Sequence, residues 1–201
     1  MNAVVKFLKR FQLNSPVILT YALVSLVVLG LNMVFGQKLN LLLFSVSRTA
    51  PTDLLLYPRL ILHAVGHASF SHYIGNFLVI LLVGPMLEEK YGSLNLLIMM
   101  LITSVVTGLS FILLSRYGNL LGASGVAFMM ILLSSFVNIQ KGRIPITVVL
   151  VIILFIGQEA VAGLTSTDNI SQLTHVIGGI CGAVLGTYIN RKKMVVGDAA
   201  Q

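Results

Sequence analysis

Six apolar stretches alternate with short polar or basic segments along this chain. They cover residues 16–35, 72–87, 94–114, 122–137, 144–156 and 173–189. Because a bilayer core about 30 Å thick takes about 20 apolar residues per helix, the stretches are typical of membrane-spanning helices. The pattern predicts an all-α membrane protein with six spans, and it leaves residues 36–71 as a mixed loop after the first.

Composition supports the membrane class. Hydrophobic residues make up 57% of the 201 residues and charged residues only 9%, too few to cover a soluble domain. The sequence therefore predicts one membrane domain over residues 16–190. A basic amphipathic segment, 1–15, precedes it, and a basic tail, 191–201, follows it.

The net charge of +7 is compatible with nucleic-acid binding, but the positions of the basic residues favour a membrane explanation. With six spans, the side that holds both termini carries nine Lys and Arg residues and the other side carries four. Because cytoplasmic loops carry the excess of Lys and Arg, both termini are predicted to be cytoplasmic, and no nucleic-acid partner is expected. The nine are Lys6, Lys9, Arg10, Lys90, Lys141, Arg143, Arg191, Lys192 and Lys193, against Lys38, Arg48, Arg59 and Arg116.

The fourth stretch is short for a span. Residues 122–137 make a helix about 24 Å long, which leaves Ser124 on the order of 10 Å below the outer surface. Non-helical backbone at that depth is tolerated where it is buried in protein or lines a water-filled cavity. We therefore expect residues 116–121 to enter a wet pocket.

Ser124 lies between Gly122 and Gly125 at the predicted start of this helix. Unpaired N–H groups at a helix start, together with glycines that allow close approach, suit a nucleophile beside an oxyanion site. Helix capping by serine and helix packing through glycine explain the same residues.

His175 shares one helix face with Gly178 and Gly182, so a second helix can approach closely below it. We expect that helix to carry Ser124, which makes His175 a candidate general base. A histidine that only bridges two helices is the alternative. Asp168 is seven residues earlier and a poor third member, so a dyad is favoured over a triad.

The other three histidines cluster before and within the second stretch. His72 and Asn76 are four residues apart on one face, and both can donate to a developing oxyanion. His63 and His67 have the spacing of zinc ligands, but no carboxylate ligand is near and the single cysteine, Cys181, is remote. We predict no metal site and assign both to structural hydrogen bonds.

Over about residues 16–190 the chain resembles the rhomboid proteases, because separate motifs occur in the family's order. All four histidines stand at motif positions, and Arg59, Glu88 and Lys90 match further signatures. The resemblance implies a six-transmembrane-helix rhomboid bundle with a Ser124–His175 catalytic dyad and no cofactor. It implies an oxyanion hole of His72, Asn76 and the Ser124 N–H. The matching residues are His63, His67, His72, Asn76, Gly122, Ser124, Gly125, His175, Gly178 and Gly182.

The resemblance also implies a lateral gate and a lid near residues 158–171. The implied substrates are single-span membrane proteins, cut near the outer face of a membrane that the short loops indicate to be the bacterial plasma membrane. Two positions depart from the family pattern. Pro58 precedes Arg59 where an aromatic residue is usual, and Phe128 stands where many members have tyrosine.

Two other functions are compatible with a small membrane bundle. A catalytically silent rhomboid-like protein would bind membrane helices without cutting them, although such relatives usually lack the serine or the histidine. A small transporter is expected to show a sequence repeat or a charged midplane site, and the sequence has neither.

Overall fold

The computed structural model describes residues 14–115, 117–136, 146, 149–150, 152–154, 157 and 169–198. In these ranges the regular elements are helices, and the one extended pairing is an isolated bridge between Val46 and Leu120. The helices are α1 (Pro16–Phe35), α2 (Lys38–Leu42), α3 (Leu56–Leu62), α4 (Phe70–Tyr91), α5 (Ser93–Leu114), α6 (Ser124–Phe136) and α7 (Asn169–Asp198).

Among the described residues, four helices are long and apolar enough to cross a membrane: α1, α4, α5 and the part of α7 from Gln172 to Ile189. The predicted helical class is thus confirmed. The described part of helix α6 has 13 residues, about 20 Å, and residues 137–145 lie outside the described ranges, so the predicted short span stays a prediction. The fifth predicted stretch, 144–156, lies largely outside the described residues, so six spans and cytoplasmic termini stay predictions.

Local signals explain where the helices begin and end. Pro16 opens α1 and Gly36, with a φ of 68°, closes it, which reproduces the predicted bounds. Helix α4 begins two residues earlier than predicted, because the Ser69 hydroxyl accepts the His72 N–H at its first turn. Gly92, with a φ of 83°, alone separates α4 from α5.

The mixed loop contains two short helices, α2 and α3, that its polar pattern did not predict. Asn40 in α2 accepts a hydrogen bond from the Asn32 amide at 2.8 Å and donates one to the His67 carbonyl at 3.0 Å. Arg59 in α3 donates to the Leu42 carbonyl at 2.8 Å and pairs with Asp53 at 3.0 Å. Contacts between distant residues, rather than local propensity, hold these helices.

Glu88, near the end of α4, caps the start of α1. Its buried carboxylate accepts the N–H groups of Val17 and Ile18 at 3.0 and 3.1 Å and the Ser93 hydroxyl at 2.7 Å. A helix N-terminus has unpaired N–H donors and a positive dipole end, so a carboxylate there is favourable. One acid thus joins the ends of three helices.

Helix α6 lies at the centre of the described bundle and packs against α4, α5 and α7. The helix is apolar nearly all round, and its side chains are buried on several faces. This burial fixes the height and rotation of the helix that begins with Ser124. The buried residues in and before it are Ala123, Val126, Ala127, Met129, Met130, Leu132 and Leu133.

Candidate active site

Ser124 is the first residue of α6 and is half-buried. The backbone before it turns at Gly122, whose φ of 126° is a conformation that residues with a side chain rarely adopt. The Gly122 N–H donates to the His63 carbonyl at 2.9 Å, and the Leu120 backbone pairs with Val46. The described part of the predicted pocket loop, 117–121, is non-helical and ties the start of α6 to the segment around α3.

Glycines allow α6 and α7 to approach at backbone contact. A Cβ on Gly178 would collide with the Gly125 carbonyl, and one on Gly182 would collide with the backbone of Met129. The spacing Gly178–Gly182 follows one face of α7, and Gly125–Met129 follows one face of α6. The two helices therefore meet in one register, and that register brings the level of His175 to the first turns of α6.

The imidazole of His175 stacks on the ring of Phe128, with centroids 4.5 Å apart and planes inclined by 27°. Phe128 is one turn after Ser124 on α6. Thr174, next to His175, lines a small cavity together with Ser124, Gly122 and Gly125. The candidate base and the candidate nucleophile thus lie at the same end of the α6–α7 contact.

His72 and Asn76 lie on the other side of the Ser124 turn. A Cβ added to Gly122 would be 2.8 Å from the His72 Nε2 atom and 3.6 Å from the Asn76 Nδ2 atom. His72 is also close enough to His175 for the two imidazoles to interact electrostatically. The four predicted side chains, from α4, α6 and α7, therefore gather around the backbone that leads into Ser124.

His67 connects this group to the backbone. Its Nε2 accepts the Ala123 N–H at 3.3 Å and contacts the Asn76 Nδ2 at 3.2 Å, while Nδ1 lies 3.1 Å from the Val65 carbonyl. A backbone N–H only donates, so Nε2 is unprotonated and Nδ1 carries the proton. Burial lowers the pKa of His67 to about 4, which keeps this neutral form.

His63 also holds the backbone that leads into Ser124. Its Nε2 lies 2.9 Å from the Ser104 carbonyl and must donate to it, and burial lowers the pKa of His63 to about 4. Its own carbonyl accepts the Gly122 N–H, so the residue joins α5 to the start of α6. In the described ranges, no three His, Cys, Asp or Glu side chains group as metal ligands.

Some predictions fall elsewhere. Arg59 pairs with Asp53, Glu88 caps α1, and Lys90 lies over the ring of Tyr91 at 5.9 Å. These three residues belong to the scaffold. They are not part of the Ser124 cluster, which consists of Ser124, His175, His72 and Asn76. The predicted lid and Asp168 lie outside the described residues or their described side chains.

Sequence reasoning missed two threonines at the site. Thr107 on α5 faces Gly125, since a Cβ there would be 3.1 Å from its Cγ2 atom, and Thr174 lines the small cavity that contains Ser124. Polar residues inside apolar stretches were the available signal. That signal does not tell which face of its helix a threonine occupies.

A family model described as the Rhomboid domain matches residues 56–192, more than half of the chain. The chain belongs to the rhomboid family. With its four long apolar helices, this rhomboid protein is a multi-pass membrane protein. No curated protein matches the chain. The matched range begins at α3 and includes every member of the Ser124 cluster.

Proposed function

We propose that this rhomboid protein is an intramembrane serine endopeptidase with Ser124 as nucleophile and His175 as general base. The stacking of His175 on Phe128, one turn from Ser124, is the observation that carries the proposal. The glycine contacts between α6 and α7 support it, because they fix the distance between the two helices. The family's silent members make activity the point to test.

The reaction is peptide hydrolysis by acyl transfer. His175 accepts the Ser124 hydroxyl proton as Ser124 Oγ attacks the scissile carbonyl, and the protonated His175 then gives that proton to the leaving amine. His175 then takes a proton from a water molecule, whose oxygen attacks the acyl ester, and returns that proton to Ser124 Oγ as the ester bond breaks and the new carboxyl terminus leaves. Each step balances protons between Ser124, His175, water and the substrate, so the proposal invokes no metal or cofactor.

His72 and Asn76 are proposed to stabilise the oxyanion, together with the Ser124 N–H. The positions of their side-chain nitrogens around Gly122 support this role, since Gly122 is two residues before the nucleophile. Asn76 has two amide hydrogens, and only one is required by His67. The second remains available for a substrate oxygen.

The proposed substrates are single-span membrane proteins, cut within or near the membrane segment. The depth predicted for Ser124, below the outer surface of the bilayer, supports this class, because a soluble peptide does not enter the bilayer. A six-span bundle with cytoplasmic termini in a bacterial plasma membrane completes the proposal. Nine basic residues on the side of the termini support that orientation.

The decisive experiment compares wild type and Ser124→Ala on a model single-span substrate in detergent and in vesicles. We expect cleavage by wild type and none by Ser124→Ala or His175→Ala, while Ser134→Ala, on the same helix, keeps the parental rate. A fluorophosphonate probe should label wild type and not Ser124→Ala. Parental cleavage by Ser124→Ala would reject the dyad, and absence of both cleavage and labelling in wild type would indicate a silent helix-binding member.

A further inference from the structure

A cavity of about 400 Å³ lies between α1 and α5, beside the residues that follow α3. It is distinct from the small cavity lined by Ser124, although Ala64, Ser104 and Val126 line both. Its described walls come from residues 16–24 of α1, residues 97–104 of α5, the segment 61–65 and Val126 of α6. Helices α1 and α5 both belong to the four candidate membrane spans, so the cavity lies at membrane depth.

The rim of the cavity consists of exposed apolar side chains. Val24 is 45% exposed, Ile61 and Leu97 are each 38% exposed, and Leu101 is 37% exposed. Val24, Leu97 and Leu101 lie on membrane-spanning helices, where exposed apolar side chains face the hydrocarbon of the bilayer. The cavity is therefore continuous with the lipid-facing surface and opens sideways to it.

The described wall has three polar side chains, Thr20, Tyr21 and Ser104, and the hydroxyls of the last two are engaged within the protein. The Tyr21 hydroxyl donates to the Ala64 carbonyl at 2.6 Å, and the Ser104 hydroxyl donates to the Met100 carbonyl at 2.9 Å. A buried water typically makes about three hydrogen bonds, and an apolar cavity stays dry but accepts apolar molecules. Because the remaining lining residues are apolar, the cavity favours hydrocarbon over water.

We propose that the cavity is a binding site for an acyl chain of a bilayer phospholipid. The acyl chain enters between Leu97 and Val24 and ends against Val126. Val126 is 2% exposed and is two residues after Ser124. An empty cavity would leave its lining without dispersion partners on one side, and the chain supplies them. The site exists whether or not the protein cuts peptide bonds.

Three tyrosines provide matched positions for a fluorescence test, because the chain has no tryptophan. Tyr21 lines the cavity. Tyr73 is 7% exposed, does not line the cavity, and donates its hydroxyl to the Ala22 carbonyl at 3.0 Å, so it lies at nearly the depth of Tyr21. Tyr188 is 66% exposed.

Each Tyr→Trp variant is reconstituted in vesicles of phosphatidylcholine with brominated acyl chains, which quench tryptophan emission at contact. We expect quenching of Tyr21→Trp to approach that of Tyr188→Trp and to exceed clearly that of Tyr73→Trp. If Tyr21→Trp is quenched no more than Tyr73→Trp, the cavity holds no acyl chain and the proposal is overturned.

A second measurement needs no tryptophan. Leu97→Phe combined with Leu101→Phe narrows the mouth at two exposed positions, where folding tolerates the change. Native mass spectrometry of protein purified from phosphatidylcholine vesicles should find bound phospholipid on wild type and less on the double variant. Equal retention by both proteins, or none by wild type, would reject the proposal even if Tyr21→Trp fails to fold.

Discussion

The imidazole of His175 lies against the ring of Phe128 at a centroid distance of 4.5 Å. Many rhomboid proteins have a tyrosine at this position, by the resemblance noted above, and this chain keeps the ring without the hydroxyl. The stacked ring face is the contact that this position makes with the imidazole. We expect orientation of His175 to depend on the ring and not on a hydrogen bond at this position.

The first prediction concerns Phe128. Phe128→Ala should lower kcat, by up to about 10²-fold, because small misplacement of a catalytic group has effects of that order. Phe128→Tyr should retain most of the activity, since it keeps the ring. The measurement is the cleavage rate of a model single-span substrate at saturation, with thermal unfolding as a folding control. If Phe128→Ala and Phe128→Tyr lose activity equally, the stacking of the ring on His175 does not explain the loss.

The second prediction concerns the close contact of α6 and α7. Gly178→Ala should reduce the free energy of unfolding by about 1–3 kcal/mol, because its Cβ would collide with the Gly125 backbone and neither helix backbone yields easily. Cleavage should fall with it as His175 moves away from Ser124. Gly30→Ala is the matched control, since a Cβ at this glycine of α1 meets nothing within 4 Å. An unfolding midpoint that drops equally in both variants would contradict the prediction.

Sequence patterns predicted the elements whose determinants are local. Pro16 and Gly36 bracket α1, and α5 contains no charged residue between Ser93 and Ser115, so both were placed within a residue. The pairing of α6 with α7 was also accessible, because Gly178 and Gly182 share a face with His175. These inferences need only helix geometry and the cost of polar groups in lipid.

Contacts between distant segments were not accessible in the same way. Glu88 accepts hydrogen bonds from residues 70 and 71 positions away, and no spacing rule connects an acid at one helix end with another helix start. Likewise, α2 depends on the pair Asn32–Asn40, and the orientation of Asn76 depends on His67. Sequence identified these residues as notable, but only the fold shows what each one contacts.

The third prediction concerns the oxyanion. Asn76→Ala should lower kcat by about 10²–10³-fold, the usual effect of removing one oxyanion donor, while the protein still folds. Asn95→Ala is the control. Asn95 is an exposed asparagine near the start of α5 whose amide donates to the Tyr91 carbonyl at 2.8 Å, and it is far from Ser124 along the chain. If the two variants cleave at similar rates, Asn76 is not an oxyanion donor.

The fourth prediction uses the titration of His67. Burial lowers its folded-state pKa from 6.5 to about 4, so the unfolded chain binds a proton first as pH falls. Stability from this group is therefore complete above about pH 6.5 and is lost between about 6.5 and 4, with a change of roughly 3 kcal/mol. His67→Gln should show a shallower loss of unfolding midpoint over that window. If the unfolding midpoints of His67→Gln and wild type fall equally steeply with pH, another group causes the loss of stability.

The last prediction concerns Glu88, whose carboxylate is 3% exposed and accepts three hydrogen bonds. Glu88→Gln replaces one carboxylate oxygen, which accepts hydrogen bonds, by an NH₂ group, which only donates. That NH₂ group then faces the backbone N–H donors at the start of α1. We expect the free energy of unfolding to fall by about 1–3 kcal/mol, because a buried donor loses its partner. Glu89→Gln removes the same charge from an exposed neighbour and should change stability by less than about 0.5 kcal/mol. Thermal unfolding of the two variants in one detergent separates loss of the cap from loss of charge, and equal shifts would mean that charge alone stabilises this end of the bundle.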